Sequence, residues 1–331
     1  MKILVTGGGG FLGGAIVRML RARGDEVRSF SRGTYPDLAA LGVEQFRGDL
    51  DDAAAVDAAT QGCELVFHVA AKAGIWGAYH DFYRANVTGT ENVIAACRRH
   101  GIGRLVYTSS PSVVFDGRDV EGGDESLTYP PSYEAHYPAT KAIAERLVLA
   151  ASSPELAVTA LRPHLIWGPG DNHLVPRIVQ KARAGRLRRI GTRPNLVDTV
   201  YVDNAARAHL QAADRLSPGS AVAGKSYFIS NGEPLPLWEM VNRILAAAGL
   251  PPVTRTVPPW LAVVLGAACE GAWGLLRLDG EPPMTRFVAH ELATAHWFDI
   301  SAARRDFGYA PEISIDEGLL RLRDWLQQRQ G

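Results

Sequence analysis

Cysteine is scarce in this sequence. Cys63, Cys97 and Cys269 are the only three in 331 residues. No two are spaced C-x-x-C, which argues against a disulfide framework or a zinc site and fits a reducing compartment. No His/Asp/Glu grouping has metal-ligand spacing either, so no metal is expected. An excess of one charge sign is missing too, since Lys+Arg and Asp+Glu both total 35. Such a balance gives no electrostatic footprint for nucleic acid or for an anionic membrane surface. Long hydrophobic runs are also absent. The most apolar stretch, 257–278, has an uncharged core of 13 residues from Val257 to Cys269, before Glu270 and Arg277 interrupt it. A bilayer span needs roughly 17 to 25, so no transmembrane segment is expected. A core helix, an apolar lid, or a surface resting on a membrane or a partner stay open for this stretch, and a homodimer stays open for the chain as a whole. The first strand pattern starts at Lys2 and leaves no room for a signal peptide, which points to the cytoplasm.

What is present begins with residues 2–6, KILVT, an apolar run of the kind found in buried parallel strands. Four glycines follow, and from Phe11 the apolar residues Phe11, Leu12, Ala15, Ile16, Met19 and Leu20 recur at helical spacing. Gly7, Gly10 and Gly13 read G-x-x-G-x-x-G across this strand-to-helix turn. Glycine lets the backbone approach a ligand closely, and the helix N-terminus offers free N–H groups to a pyrophosphate. That context predicts a dinucleotide site. At the end of the second strand, 26–31, an NAD site usually carries an acidic residue for the ribose hydroxyls. Ser31, Arg32 and Gly33 stand there instead. Arg32 can pair with a 2′-phosphate, so the expected cofactor is NADPH/NADP⁺.

Further strands are expected near 43–48, 64–70, 104–109 and 157–162, with helices near 51–60, 79–100 and 134–152. Such alternation implies βαβ units, and hence an α/β, Rossmann-type, doubly wound parallel sheet with a smaller C-terminal substrate-binding region. Residues 1–166 form the NADP(H)-binding domain, with 198–230 returning to it. Residues 167–197 and 231–331 form the substrate region.

Two stretches carry chemistry. Ser109 and Ser110 end the fifth strand, at the edge where open α/β sheets bind ligands. Tyr137 and Lys141 open a helix whose expected apolar face runs through Ile143, Leu147 and Ala150, and i, i+4 spacing puts the two on one face. Ketone reduction needs a proton donor at the carbonyl oxygen. Free tyrosine titrates near 10, and a neighbouring ammonium is expected to lower that value. Ser110 would hold the substrate oxygen.

These motifs resemble those of the extended short-chain dehydrogenases/reductases. The resemblance covers nearly the whole chain: TGGGGFLG (6–13), Asp49-Leu50, Ala70-Ala71, NVTGTENV (86–93), SSPSV, YPATK, LRPHLIWGPGD and VDTVYVDNAARA (197–208). It implies catalysis by Ser110, Tyr137 and Lys141, with Asn86 supporting the network. It also implies cofactor contacts from Phe11, Leu12, Asp49, Leu50, Ala70, Ala71, Lys72 and Asn86, from Tyr137 and Lys141, and from Pro163, His164 and Ile166. Val114-Phe115-Asp116 replaces the V-Y-G of the sugar-nucleotide epimerases, and no nucleotide-diphosphate-binding arginine can be placed. The apolar insertion resembles that of the 3β-hydroxysteroid and sterol dehydrogenase branch. YTSSPSV, AGKSYFISNGEPLP (223–236), GEPPMTRF (280–287) and RRDFGYAP (304–311) are similar to the bacterial β-keto-acid reductases of long-chain olefin formation. That narrower likeness implies a long-chain apolar substrate carrying a carboxylate, with Lys72, Arg177 and Arg286 as candidate cations. Its partners would be the β-lactone-forming ligase and thiolase-like condensing enzyme that handle the same intermediates. A sterol dehydrogenase, a sugar-nucleotide epimerase and a non-catalytic dinucleotide sensor are the alternatives; a sensor would be expected to lose the Ser/Tyr/Lys set kept here.

Overall fold

The computed structural model describes residues 1–329. Seven parallel strands form the central sheet, in the spatial order Lys225–Ile229, Ala157–Pro163, Arg104–Thr108, Leu65–His68, Lys2–Thr6, Glu26–Ser31 and Glu44–Arg47. The strand order reverses between Lys2–Thr6 and Leu65–His68, the kind of switch point where such sheets bind ligands. Ile3, Leu4, Val5, Leu65, Val66, Leu105 and Val106 are fully buried, as expected for strands covered on both faces. The fold is a Rossmann-type α/β sheet. Helix Val202–Arg215 packs against Phe11–Ala22 on one face, and the strand Lys225–Ile229 closes one edge of the sheet.

A second, four-stranded sheet joins Leu235–Pro236, Leu196–Val197, His296–Phe298 and Val120–Gly123. Segments from both halves of the sequence therefore meet over the carboxyl edge of the main sheet.

The segment expected as one helix over 79–100 is Tyr79–Tyr83, a π-helical turn Arg84–Thr88, and Gly89–Arg99. A π turn is a common device for re-aiming a side chain inside a helix, and Asn86 lies in this one. Helix His136–Ala150 also departs from expectation. Its buried side chains are Pro138, Thr140, Lys141, Ala142, Ala144, Glu145 and Val148 rather than the Ile143, Leu147, Ala150 stripe. The helix turns a charged face inward because Glu145 has a buried partner.

The apolar stretch forms helix Pro259–Leu276. Its 18 residues are long and apolar enough to cross a bilayer by length and composition, but only Ala262 and Gly266 are buried. Trp260 is 67% and Leu275 84% exposed, which rules out a core helix. The helix packs against Arg286–Ala293 as a hairpin, with Glu270 accepting from the backbone N and the Nε of Arg286, both at 2.7 Å. Cys63 and Cys97 are buried, and Cys269 lies half-buried on this hairpin.

Candidate active site

The glycine turn sets the floor of a cleft of about 720 Å³. Gly7 adopts φ +73°, and its carbonyl accepts from Gly10 N at 2.8 Å. A Cβ on Gly13 would lie 2.1 Å from that same oxygen, so only glycine fits there. Helix Phe11–Ala22 starts from Gly10 without a side-chain cap and without an acidic residue in its first turn. Its first N–H groups and positive dipole end are thus available to an anion.

Gly7, Gly10, Phe11, Leu12, Gly13, Ser31, Arg32, Asp49, Leu50, Ala70, Ala71, Lys72, Ser110, Tyr137, Pro163 and Ile166 line this one cleft. Three of the residues singled out in the sequence lie behind its wall. Asn86 holds the wall in register, accepting from Lys72 N at 2.7 Å and donating to Thr140 Oγ1 at 3.0 Å. Lys141 is buried one helical turn beyond Tyr137, and His164 is hydrogen-bonded to Asp198.

The cleft fits a nicotinamide dinucleotide. Beyond the glycine cradle, Ser31 Oγ is buried without a partner at the corner where the adenosine ribose of such a cofactor lies. Arg32 is exposed beside it, and its carbonyl accepts from Arg47 Nε at 2.9 Å, bringing a second guanidinium to the same corner. Arg47 has no motif to mark it in the sequence; only the register of the second and third strands places it there.

Burial pushes the Tyr137 phenol above its ordinary value, Ser110 opposes that shift, and the charge of Glu291 adds to it. The expected downward pull from Lys141 is not found. A buried ammonium needs an acceptor, and Lys141 Nζ donates to the Thr108 carbonyl at 2.6 Å while lying 4.1 Å from the centre of the Tyr107 ring. Desolvation lowers Lys141 to about 7, with Glu145 resisting. Ser110 caps the short turn Pro111–Val114, with its Oγ 2.8 Å from Ser112 Oγ.

Glu145 and Arg162 were not legible as functional residues. They form a two-pronged buried pair, Nη2 to Oε1 at 2.6 Å and Nε to Oε2 at 3.0 Å, and Tyr129 OH donates to Oε1 at 2.6 Å. The pair pins the Tyr137–Lys141 helix to the strand that leads into Pro163. A ladder at 137, 141 and 145, all on one helix face, is the signal that could have found Glu145.

A glycine-floored dinucleotide cleft walled by serine and tyrosine, with lysine one helical turn beyond, defines an oxidoreductase of the extended short-chain dehydrogenase/reductase class that binds a nicotinamide dinucleotide. The chain belongs to the 3-beta hydroxysteroid dehydrogenase/isomerase family, whose pattern matches residues 4–259. It is 58% identical to a 2-alkyl-3-oxoalkanoate reductase of Stenotrophomonas maltophilia over 98% of both chains. It is 36% identical to the decarboxylating sterol-4-alpha-carboxylate 3-dehydrogenase of Mus musculus, over 97% of this chain and 89% of that one. Among solved structures, MoeE5 in complex with UDP-glucose and NAD matches with a TM-score of 0.77 and 25% identity over the whole of both chains. A keto-reductase role follows from these likenesses.

Proposed function

We propose that this chain uses NADPH to reduce the 3-keto group of a long-chain 2-alkyl-3-oxoalkanoate, reversibly, giving the 2-alkyl-3-hydroxy acid in olefin formation. The observation that carries the reading is Tyr137 in the wall of the dinucleotide cleft beside Ser110, in a chain so similar to a reductase of that name. Residues 1–166 with 198–230 bind the cofactor, and the remainder holds substrate. Ser31, Arg32 and Arg47 receive a 2′-phosphate that an acidic residue there would repel.

When bound, the nicotinamide supplies hydride to the ketone carbon. Tyr137 gives its phenolic proton to the ketone oxygen, and Ser110 holds that oxygen with a hydrogen bond. The raised phenol value keeps Tyr137 in the proton-carrying form that reduction needs. Lys141 donates to the Thr108 carbonyl and so braces the wall on which Tyr137 stands, and Asn86 keeps the wall segment around Lys72 in place. A ligase and a thiolase-like condensing enzyme handling the same intermediates are the partners, in the cytoplasm.

The practical test is the reverse direction, because free β-keto acids decarboxylate. Rates with NADP⁺ are measured for 2-alkyl-3-hydroxy acids of increasing alkyl length, beside a 3β-hydroxysteroid and a UDP-sugar. Each buried methylene is worth up to about 0.8 kcal/mol, about fourfold in efficiency, so the series rises steeply until the site is filled. A flat series, or a better steroid, replaces this substrate with the sterol-type reading. In the same assay Arg32→Ala raises KM for the phosphorylated cofactor far more than for NAD⁺; equal effects remove Arg32 from cofactor selection.

A further inference from the structure

The balance of 35 cations against 35 carboxylates holds for the whole chain and fails locally. Between Asp171 and Asp198 the sequence carries seven cations and no carboxylate. Arg177 pairs with Glu281, and Arg193 with Asp119. Lys181, Arg183, Arg186, Arg188 and Arg189 make no ion pair among the described residues. Three of them donate to backbone carbonyls, Lys181 to Pro283 at 3.2 Å, Arg188 to Gly185 at 2.7 Å and Arg189 to Thr192 at 2.8 Å. A carbonyl fixes the side chain and leaves its charge uncompensated. Arg183 and Arg186 are exposed.

The fold lays this segment beside the exposed hairpin. Arg189-Ile190 and Thr256-Val257 pair as two short parallel strands. Arg189 N donates to the Arg255 carbonyl at 2.9 Å, and Gly191 N to the Val257 carbonyl at 2.8 Å. Arg255, exposed and also without an ion pair among the described residues, joins the cluster. Pro258 alone separates that strand from helix Pro259–Leu276. One side of the helix is held by the protein. A Cβ on Gly266 would lie 2.6 Å from the carbonyl carbon of Thr285, and Glu270 is bonded to Arg286. The other side carries Trp260, Val264, Ala268, Gly271 and Leu275, all exposed and none charged. Their three- and four-residue spacing makes them one continuous stripe.

We propose that the hairpin helix and the adjoining arginines dock this chain on the surface of an anionic phospholipid bilayer, with the helix in the plane of the interface and the cations on headgroup phosphates. The stripe needs an apolar phase, and a tryptophan at its end suits the headgroup boundary. The arginines need anions, and the six unpaired cations fall within the roughly four to eight that mark recognition of anionic lipid. A bilayer of that kind supplies both at once. A second copy of the chain covers the stripe but leaves the cations unanswered. Between Pro259 and Thr285 only Asp279 is a carboxylate without an ion pair among the described residues. Helix Leu174–Arg183 joins this surface to the cleft, because Leu174 lines the cleft and the cations lie at and beyond the other end. Its ten residues span about 15 Å. The docking surface is independent of which substrate the cleft takes.

Flotation of the full chain with vesicles tests this, using phosphatidylcholine alone and phosphatidylcholine mixed with phosphatidylglycerol. Binding to the mixed vesicles should be tighter by on the order of tenfold or more and should weaken as salt is added. Brominated acyl chains should quench tryptophan emission in the parent and quench it less in Trp260→Phe, as expected for a ring at the acyl boundary. The double variant Arg183→Glu/Arg186→Glu should lose on the order of tenfold in affinity for the mixed vesicles. Trp260→Ser/Leu275→Ser should lower binding to both kinds of vesicle. Cofactor binding should be kept in each variant, since none of these residues lines the cleft. Equal binding to the two lipids, or binding to neither, overturns the proposal. Self-association that Trp260→Ser/Leu275→Ser abolishes, without vesicle binding, also overturns it and gives the face to a second copy. The parent measured on two lipids decides the matter even if a variant does not fold.

Discussion

Leu105 and Leu265 are the same residue in opposite circumstances. Leu105 sits in a central strand at 0% exposure, and Leu265 on the hairpin helix at 49%. Around Leu105 the chain is apolar because sheet and helices cover it from both sides. Around Leu265 it is equally apolar, and only Ala262 and Gly266 of that helix are buried, where it meets Arg286–Ala293. Hydropathy measures a demand for cover, and topology decides whether the fold meets it. The sheet half spends its apolar residues on holding the cofactor cleft rigid. The hairpin keeps its apolar residues on the surface, where a large exposed patch marks binding.

The largest effect separating the two regions is on stability. Leu105→Ala should cost about 2–5 kcal/mol by denaturant midpoint, whereas Leu265→Ser should stay within about 0.5 kcal/mol while raising KM for the longest-chain substrate. A comparable cost at both sites would mean that the hairpin is covered in solution. Next is the chemistry of the sheet half. Tyr137→Phe should turn over on the order of 10²-fold more slowly at every alkyl length, with NADPH binding nearly unchanged by fluorescence titration. Near-parent turnover would remove Tyr137 from the mechanism. The smallest effect is a pH slope. Lys141 titrates at about 7 in the folded chain against 10.5 when unfolded. Between those values the unfolded chain binds a proton that the folded chain does not, so this group makes stability rise with pH and removes that gain as pH falls toward 7. Lys141→Met should therefore stabilise more at pH 7 than at pH 9.5 by urea midpoint. An equal shift at both values would mean that Lys141 is solvated.

The parts legible in the sequence were those encoded locally. The KILVT run, the glycine turn and the following amphipathic helix are contiguous, and Tyr137 and Lys141 stand one helical turn apart. What stayed hidden depends on distant partners. Glu145 reads as a solvated charge until Arg162, 17 residues on, meets it in the interior. That burial is also why the inward face of the catalytic helix departs from its apolar stripe. His164 and His296 are separated by 132 residues, and no periodicity announces such a contact. The π turn at Arg84–Thr88 interrupts a segment whose pattern reads as one continuous helix, because its cause is the side-chain bonding of Asn86 rather than a breaker residue.

The distribution of the three thiols makes the hairpin observable without engineering. Cys97 is pushed up to about 12 by burial, and burial raises Cys63 as well, so neither offers thiolate to an alkylating reagent. Cys269 lies on the exposed helix. A maleimide dye or nitroxide added to the unmodified protein should therefore settle at one position, a built-in beacon on the exposed hairpin. Its spectrum would follow that segment as chains of different length arrive.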